Sequence, residues 1–220
     1  MGRAVILKIV IKWTLLWIAV VGSLNYLIVP LGFDYDSGYL VCTLYFLFFA
    51  GLGIYHYRVR ESLSHHVPFR HQFLLSGTLT AAALAISFLV ARSFPIDAQK
   101  IAAIKSSHVL FPLFNYGTWL TKLADITFQQ VFIFALLKEL GRETTLTKDK
   151  IVLVAGTAFA LLHLPLLFML GLYGLYFIVP SVFAGFLFTY FIMNFRRGIF
   201  YSYSLHLVFY LLLGIALRYN

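Results

Sequence analysis

Charged residues are scarce in this chain of 220 residues. They make up 11% of it, whereas hydrophobic residues make up 61%, and the mean hydropathy is +0.89. So few charges cannot cover the surface of a soluble domain, and the apolar residues exceed what a core of this size can bury. The composition excludes an ordinary soluble protein and predicts a polytopic membrane protein.

Acidic residues are the rarer of the two charge types, with 8 Asp and Glu against 17 Lys and Arg. In a soluble chain a net charge of +9 suggests nucleic-acid binding. Here the basic residues form short clusters between apolar runs, which is typical of the topology signals of membrane proteins. We therefore predict the lipid bilayer as the surroundings of the chain and no nucleic-acid partner.

Cysteine is almost absent, because Cys42 is the only one. A single cysteine excludes a disulfide framework and a CxxC metal pair. Cys42 lies within an apolar segment, so we expect it to serve packing. The sequence also has no pattern that predicts a metal site, and we predict no cofactor.

Apolar runs of about 20 residues, long enough to cross a bilayer core about 30 Å thick, divide the chain. They predict an all-α fold, a polytopic transmembrane bundle of about seven helices. The predicted helices are 8–31, 38–57, 72–94, 118–138, 151–171, 174–194 and 199–217. Between the third and fourth helices, apolar residues at helical spacing predict a short interfacial helix within 95–117. We divide the chain into an N-terminal part, 1–117, and a core, 118–220.

The distribution of Lys and Arg predicts the orientation of the bundle. With the N-terminus inside, twelve of these residues fall on the inner side and five on the outer side. Inner loops carry the excess of positive charge in membrane proteins. We therefore predict a plasma (inner) membrane protein with a cytoplasmic N-terminus and, given an odd number of helices, an outer C-terminus.

Polar side chains inside the spans are few: Asp125, Gln129, Gln130, His163, Asn194 at the end of the sixth predicted helix, and His206. At 1.5 Å per residue, Gln129, His163 and His206 lie at a similar depth, roughly 10 to 18 Å from the inner helix ends. Such residues often serve as hydrogen bonds between helices, but ionisable groups inside a membrane also mark functional sites. We expect the three helices that carry them to meet at one cavity.

Two motifs in the last helices carry a family resemblance. "FALLH", which ends at His163, fits the pattern FxxxH, and "YSYSLHLVFYLL" places His206 where a third motif, HxxxN, has its histidine. Between them, "AGFLFTY" lies on a glycine-containing helix. In this order the motifs resemble the CPBP family of intramembrane proteases, which includes CAAX prenyl endopeptidases and bacteriocin-processing and self-immunity proteins. The resemblance covers about residues 118–217 and implies a CPBP-like core there.

The first motif of that family, EExxxR, is altered in this chain. "QQVFIF" occupies its place, so that Gln129 and Gln130 stand at the two glutamates and Phe134 at the arginine. In the family the first glutamate and the FxxxH histidine activate water, and the third motif stabilises the oxyanion. The resemblance therefore implies Gln129 and His163 at the water position. It implies His206 and Tyr210 at the oxyanion position.

The altered residues change the chemistry that the resemblance implies. A carboxamide is not basic enough to take a proton from water, so Gln129 cannot act as the general base. Phe134 removes the cation that would neutralise the glutamates. A phenol can still donate to an oxyanion, so Tyr210 in place of Asn is the milder change. We predict a catalytically impaired member that binds a membrane-protein partner or a hydrophobic peptide.

Four alternatives stay open from the sequence. Asp125, one turn before Gln129, could act as a substitute acid, or it could pair with Lys122 three residues earlier. An active endopeptidase would use His163 as its base, with His206 and Tyr210 as electrophilic partners and Asp125 as the orienting acid. Two histidines at similar depth could also ligate a b-type haem. Finally, the polar residues could only hold helices together in a structural or assembly subunit.

Overall fold

Helices account for nearly all of the chain that the structure describes. This structure is a computed structural model, and it describes residues 2–33, 38–57, 116–196 and 198–219, together with the isolated residues 74, 78, 93 and 99. Its helices are α1 (Gly2–Ser23), α2 (Tyr39–Tyr57), α3 (Tyr116–Glu143), α4 (Lys148–Leu161), α5 (Pro165–Leu170), α6 (Leu175–Asn194) and α7 (Gly198–Tyr219). These ranges contain no strand.

The described helices confirm an all-α membrane bundle. Five helical segments, one of which contains both α4 and α5, are long and apolar enough to cross a bilayer: Arg3–Leu31, Tyr39–Tyr57, Trp119–Glu143, Lys148–Leu170 and Phe177–Asn194. The predicted helices at 38–57, 118–138, 174–194 and 199–217 correspond to α2, α3, α6 and α7. The predicted helix 72–94 and the interfacial helix within 95–117 lie outside the described stretches, so the number seven stays a prediction.

Two predicted helices differ in detail from the structure. The first begins earlier than predicted and continues beyond Ser23 as a π-helical turn, Leu24–Ile28, and a 3₁₀ turn, Val29–Leu31. The predicted helix 151–171 is interrupted at residues 162–164. Pro165 explains the interruption, because proline has no N–H and its ring clashes with the preceding turn of a helix. The prediction of one continuous helix there was wrong.

Helix α3 is the centre of the bundle. In its most apolar stretch of 18 residues, 78% of the residues are buried, against 22–50% in the corresponding stretches of the other spans. It packs against α1, α2, α4, α6 and α7. On the α1 side, Trp13 donates its indole N–H to the Phe132 carbonyl at 2.7 Å, and the Trp17 ring lies 5.5 Å from Phe128. Polar residues on α3 are therefore surrounded by other helices of the bundle.

Helix α2 packs closely on another side of α3. Gly53 faces Val131, and a Cβ atom at Gly53 would lie 2.5 Å from the valine side chain. Cys42 is fully buried in the same contact, beside Phe46. The packing role predicted for Cys42 is confirmed.

Three predicted inner segments come together at one end of the bundle. Lys12, in the middle of α1, pairs with Glu139 near the end of α3, and Ile9 of α1 belongs to the same buried cluster as Leu140. The Lys138 ammonium donates to the carbonyl of Tyr57, the last residue of α2, at 2.9 Å. The start of α1 and the ends of α2 and α3 therefore lie on the same side, as up-and-down topology requires.

Helices α4 and α6 cross at two glycines. A Cβ atom at Gly185 would lie 2.7 Å from the Gly156 carbonyl oxygen and 3.0 Å from the Phe159 ring. Small residues allow membrane helices to approach in this way, and packing replaces the hydrophobic effect as their driving force. This crossing positions Phe159, which precedes His163 by one helical turn.

We expect Gly185→Ala to destabilise the protein by about 1–3 kcal/mol, because the added methyl group overlaps a backbone oxygen that cannot move aside. Thermal unfolding in detergent measures the effect. Gly51→Ala is the matched control, since among the described residues no atom lies within 4 Å of a Cβ at Gly51. Equal stability of the two variants would contradict the close crossing.

Candidate functional site

A buried ion pair occupies one side of α3. The Lys122 ammonium lies 2.9 Å from Asp125 Oδ2, and both side chains are at least nine-tenths buried. The same ammonium lies 3.7 Å from the centre of the Tyr210 ring on α7. Spacing of i, i+3 brings the two charges to one face of the helix, and the aromatic ring adds a cation–π contact. The pair is neutral as a unit and joins α3 to α7.

Gln129 belongs to this ion pair. Its Nε2 donates to Asp125 Oδ1 at 2.9 Å, so that both oxygens of the carboxylate are engaged. The Gln129 carbonyl oxygen is buried and, in the described part of the chain, is the one buried side-chain polar atom without a hydrogen bond. Leaving such an acceptor unpaired costs about 1–3 kcal/mol.

Gln130 has a different set of partners, all on α7. The Ser202 hydroxyl donates to Gln130 Oε1. Gln130 Nε2 donates to His206 Nδ1 at 3.1 Å. All three side chains are buried, with exposures of 4% or less. Because neighbouring residues of a helix point about 100° apart, Gln129 and Gln130 reach separate groups.

His163 lies at the interruption between α4 and α5. Its backbone N–H bonds to the Ala160 carbonyl, one residue closer than in a regular α-helix, which leaves the Phe159 carbonyl without its usual donor. The His163 Nδ1–H supplies that donor at 3.0 Å. The side chain therefore caps its own helix, and its Nε2 remains for other contacts.

A cavity lies between the α4–α5 interruption, α6 and α7. Its lining residues are Phe159, His163, Phe177, Pro180, Ser181, Ala184, Phe188, His206, Phe209 and Tyr210. It encloses about 310 Å³ of empty space including its open mouth, of which about 20 Å³ is available to the centre of a water molecule. That is room for one or two waters.

Aromatic rings connect the two histidines along the wall of this cavity. His206 stacks on Tyr210 at 5.2 Å and lies 4.8 Å from Phe188. Phe188 contacts Phe159 at 5.9 Å, and Phe159 in turn lies 4.8 Å from His163. The wall is apolar and aromatic, with the two imidazoles as its main polar groups.

The structure brings some of the predicted site residues together and separates others. His163, His206 and Tyr210 line one cavity. Gln130 is hydrogen-bonded to His206 and is not itself among the lining residues. Gln129 and Asp125 are not among the lining residues and instead contact each other and Lys122. The expected pairing of Gln129 with His163 around a water stays a prediction, and the Gln129 amide N–H donates to Asp125.

One polar residue of the site, Ser202, was missed by sequence reasoning. It is hydrogen-bonded to the Gln130 amide, and its signal was its place one turn before His206 in "YSYSLH". Lys122 was identified as a possible partner of Asp125, and the structure shows that pair. Its contact with the Tyr210 ring and its exposure of only 2% were not predicted.

The chain was also compared with known proteins: no family model, no curated protein and no solved structure matches it.

We expect Lys122→Met to destabilise the protein by about 3–5 kcal/mol, because it leaves the Asp125 charge buried and unpaired. Adding Asp125→Asn should restore most of this stability, since the double variant has no buried charge and keeps an acceptor for Gln129. Unfolding free energies of the two single variants and the double variant in detergent measure the coupling.

Lys12→Met serves as the control for loss of a lysine. Its side chain is 48% exposed, so loss of its pair with Glu139 should cost about 0–1 kcal/mol. If Lys122→Met lowered the free energy of unfolding no more than Lys12→Met does, the Lys122–Asp125 pair and its contact with Tyr210 would not stabilise the packing of α3 on α7.

Proposed function

We propose that this integral membrane protein is a CPBP-like, catalytically impaired protein that binds a hydrophobic peptide or a segment of a membrane-protein partner at the cavity. The observation that carries this proposal is the lining of the cavity, in which two histidines and a tyrosine occur without a carboxylate among the described residues. Binding groups are present there, whereas the acid of a glutamic-type protease is not. The order and spacing of the motifs in α3, α4 and α7 support the family.

The engagement of Asp125 argues against its use as a substitute acid. Its two oxygens accept from Lys122 and from Gln129, and it does not line the cavity. A general base has to reach the proton that it removes, directly or through one water. The amides at Gln129 and Gln130 cannot take a proton from water. Hydrolysis by the family's mechanism therefore has no base in this arrangement.

The cavity wall is suited to an apolar ligand. Rings of Phe159, Phe177, Phe188 and Phe209 supply contact area, and the imidazoles supply a small number of polar contacts. Such a combination is typical of binding sites. Since the present space holds one or two waters, a peptide side chain enters only when the rings at the mouth move apart.

The same proposal includes the orientation of the chain. The contacts of Lys12 and Lys138 bring basic residues of α1 and α3 to one end of the bundle. An excess of Lys and Arg on one side is typical of the cytoplasmic side. We therefore place the N-terminus in the cytoplasm and the C-terminus outside a plasma membrane.

One observation favours a second function, an active endopeptidase. The His163 Nδ1–H is anchored to Phe159, so the free nitrogen of this imidazole carries a lone pair beside a space for water. Histidine can act as a general base near neutral pH. In this alternative His163 activates the water, and His206 and Tyr210 polarise the peptide carbonyl.

The two functions differ in what happens to a bound peptide. A biotinylated leucine-rich peptide is added to the protein in nanodiscs. In the protein, the photoreactive residue benzoylphenylalanine replaces Phe177 in the cavity or, as the control, Phe183. Phe183 lies on the same helix but is 56% exposed. We expect several-fold more crosslinking from position 177 than from position 183, with the peptide intact by mass.

Cleavage of the peptide by the wild-type protein, if it is lost in His163→Ala or in Gln129→Ala, would contradict the non-catalytic function. Loss in His163→Ala alone would favour the second function. Equal crosslinking from both positions would mean that the peptide does not enter the cavity.

A further inference from the structure

Two prolines bound one end of the helix pair α4–α6, at the cavity. Pro165 follows the interruption at residues 162–164, and Pro180 lies inside α6. Because proline has no N–H, Pro165 does not continue α4, and Pro180 has no donor for the Tyr176 carbonyl one turn earlier. Helices bend at such positions, since a backbone hydrogen bond is missing there. We call the segment between the two prolines, residues 165–179, the cap.

The cap is folded on itself as one unit. It contains α5, the 3₁₀ turn Gly171–Gly174 and the first residues of α6. A Cβ atom at Gly174 would lie 2.5 Å from the Leu166 carbonyl oxygen, so the turn packs directly on α5. Gly171 has φ +57° and ψ −141°, a backbone conformation that glycine adopts more easily than other residues, and the chain turns there. The cap can therefore move as a body, with its flexible points at the two prolines.

Few side chains attach the cap to the rest of the bundle. Within the described stretches, the main contacts of α5 are with the 3₁₀ turn and with α6. Six apolar side chains of the cap are 38–90% exposed: Leu167, Phe168, Met169, Leu172, Leu175 and Val179. Beyond the cap, by contrast, α4 and α6 share a buried cluster that includes Ile151, Phe159 and Phe191. Segments with few buried contacts open at a lower free energy than the core does.

The cap carries part of the cavity wall. Phe177 belongs to the cap and lines the cavity together with Phe209 and Tyr210 of α7. The wall also includes His163 and Pro180, which lie at the two flexible points. The enclosed space holds one or two waters, so a larger ligand requires that part of the wall moves. The cap is the part of the wall with few buried contacts, and its movement takes Phe177 with it.

We propose that the cap is a gate, which pivots about Pro165 and Pro180, moves Phe177 away from α7 and opens the cavity sideways to the lipid. The ligand then enters from the bilayer and not from water. This inference rests on the proposed function, since the gate gives access to the same cavity. The exposed face of the cap is apolar, so the opening is bordered by hydrocarbon and admits apolar ligands.

Alanine at either pivot should stiffen the attachment of the cap. It supplies the N–H that proline lacks and removes the clash of the ring with the preceding turn, so that the helix continues across the pivot. We expect the gate to open less often in the two pivot variants, Pro165→Ala and Pro180→Ala. Pro30→Ala is the control variant, because Pro30 lies in the 3₁₀ turn Val29–Leu31 and does not line the cavity.

Opening of the gate is measured without a ligand, in nanodiscs and in a Cys42→Ala background. Pyrene maleimide dissolved in the lipid alkylates Phe177→Cys when the cap moves away from α7. We expect the rate of alkylation to fall several-fold in the two pivot variants and to stay the same in the control variant. Phe183→Cys reports access of the reagent itself. Phe183 is 56% exposed, so this cysteine should react faster than the one at position 177 and equally in all variants.

An alkylation rate at position 177 that is unchanged in both pivot variants would overturn the gate. Alkylation at position 177 as fast as at position 183 would also overturn it, because the cavity would then be open without a gate. Neither result depends on a peptide. Slower alkylation in both pivot variants, together with absence of peptide crosslinking from position 177, would leave the gate standing and overturn the proposed function. The two failures are thus distinguishable.

Discussion

A polar group within an apolar bundle has to find its partner inside the protein, because lipid offers none. Helices α3 and α7 meet this constraint together. Lys122 and Asp125 on α3 pair with each other and contact Tyr210, and Gln130 bonds to Ser202 and His206. Both groups lie along the contact between α3 and α7, which run antiparallel. The polar side chains of α3 therefore also determine where α7 packs.

This arrangement keeps the charges out of the cavity. The Lys122–Asp125 pair lies behind the Tyr210 ring, and the surface that faces the cavity is aromatic, with neutral hydrogen-bonding groups. The interruption before Pro165 contributes the other histidine, whose side chain replaces a lost backbone donor. The cavity therefore combines an aromatic wall with two imidazoles, one from α7 and one from the end of α4.

Much of the fold could be predicted from the sequence, because long apolar runs are a direct consequence of bilayer thickness. The i, i+3 spacing of Lys122 and Asp125 likewise indicated their pairing. The sequence could not show which glutamine faces α7, since Gln129 and Gln130 differ only in direction around α3 and tertiary packing decides which one meets Ser202. The interruption at residues 162–164 was not predicted, because apolar residues continue on both sides of it, although Pro165 marks its place in the sequence.

In this structure Gln130, and not Gln129, bonds to α7. Crosslinking of paired cysteines in a Cys42→Ala background tests this placement, with Ser202→Cys combined with either Gln130→Cys or Gln129→Cys. The two pairs differ by a single position, so reactivity and membrane depth are nearly matched. We expect rapid disulfide formation between positions 130 and 202 and little between 129 and 202. Equal or faster crosslinking from position 129 would show that Gln130 does not face α7.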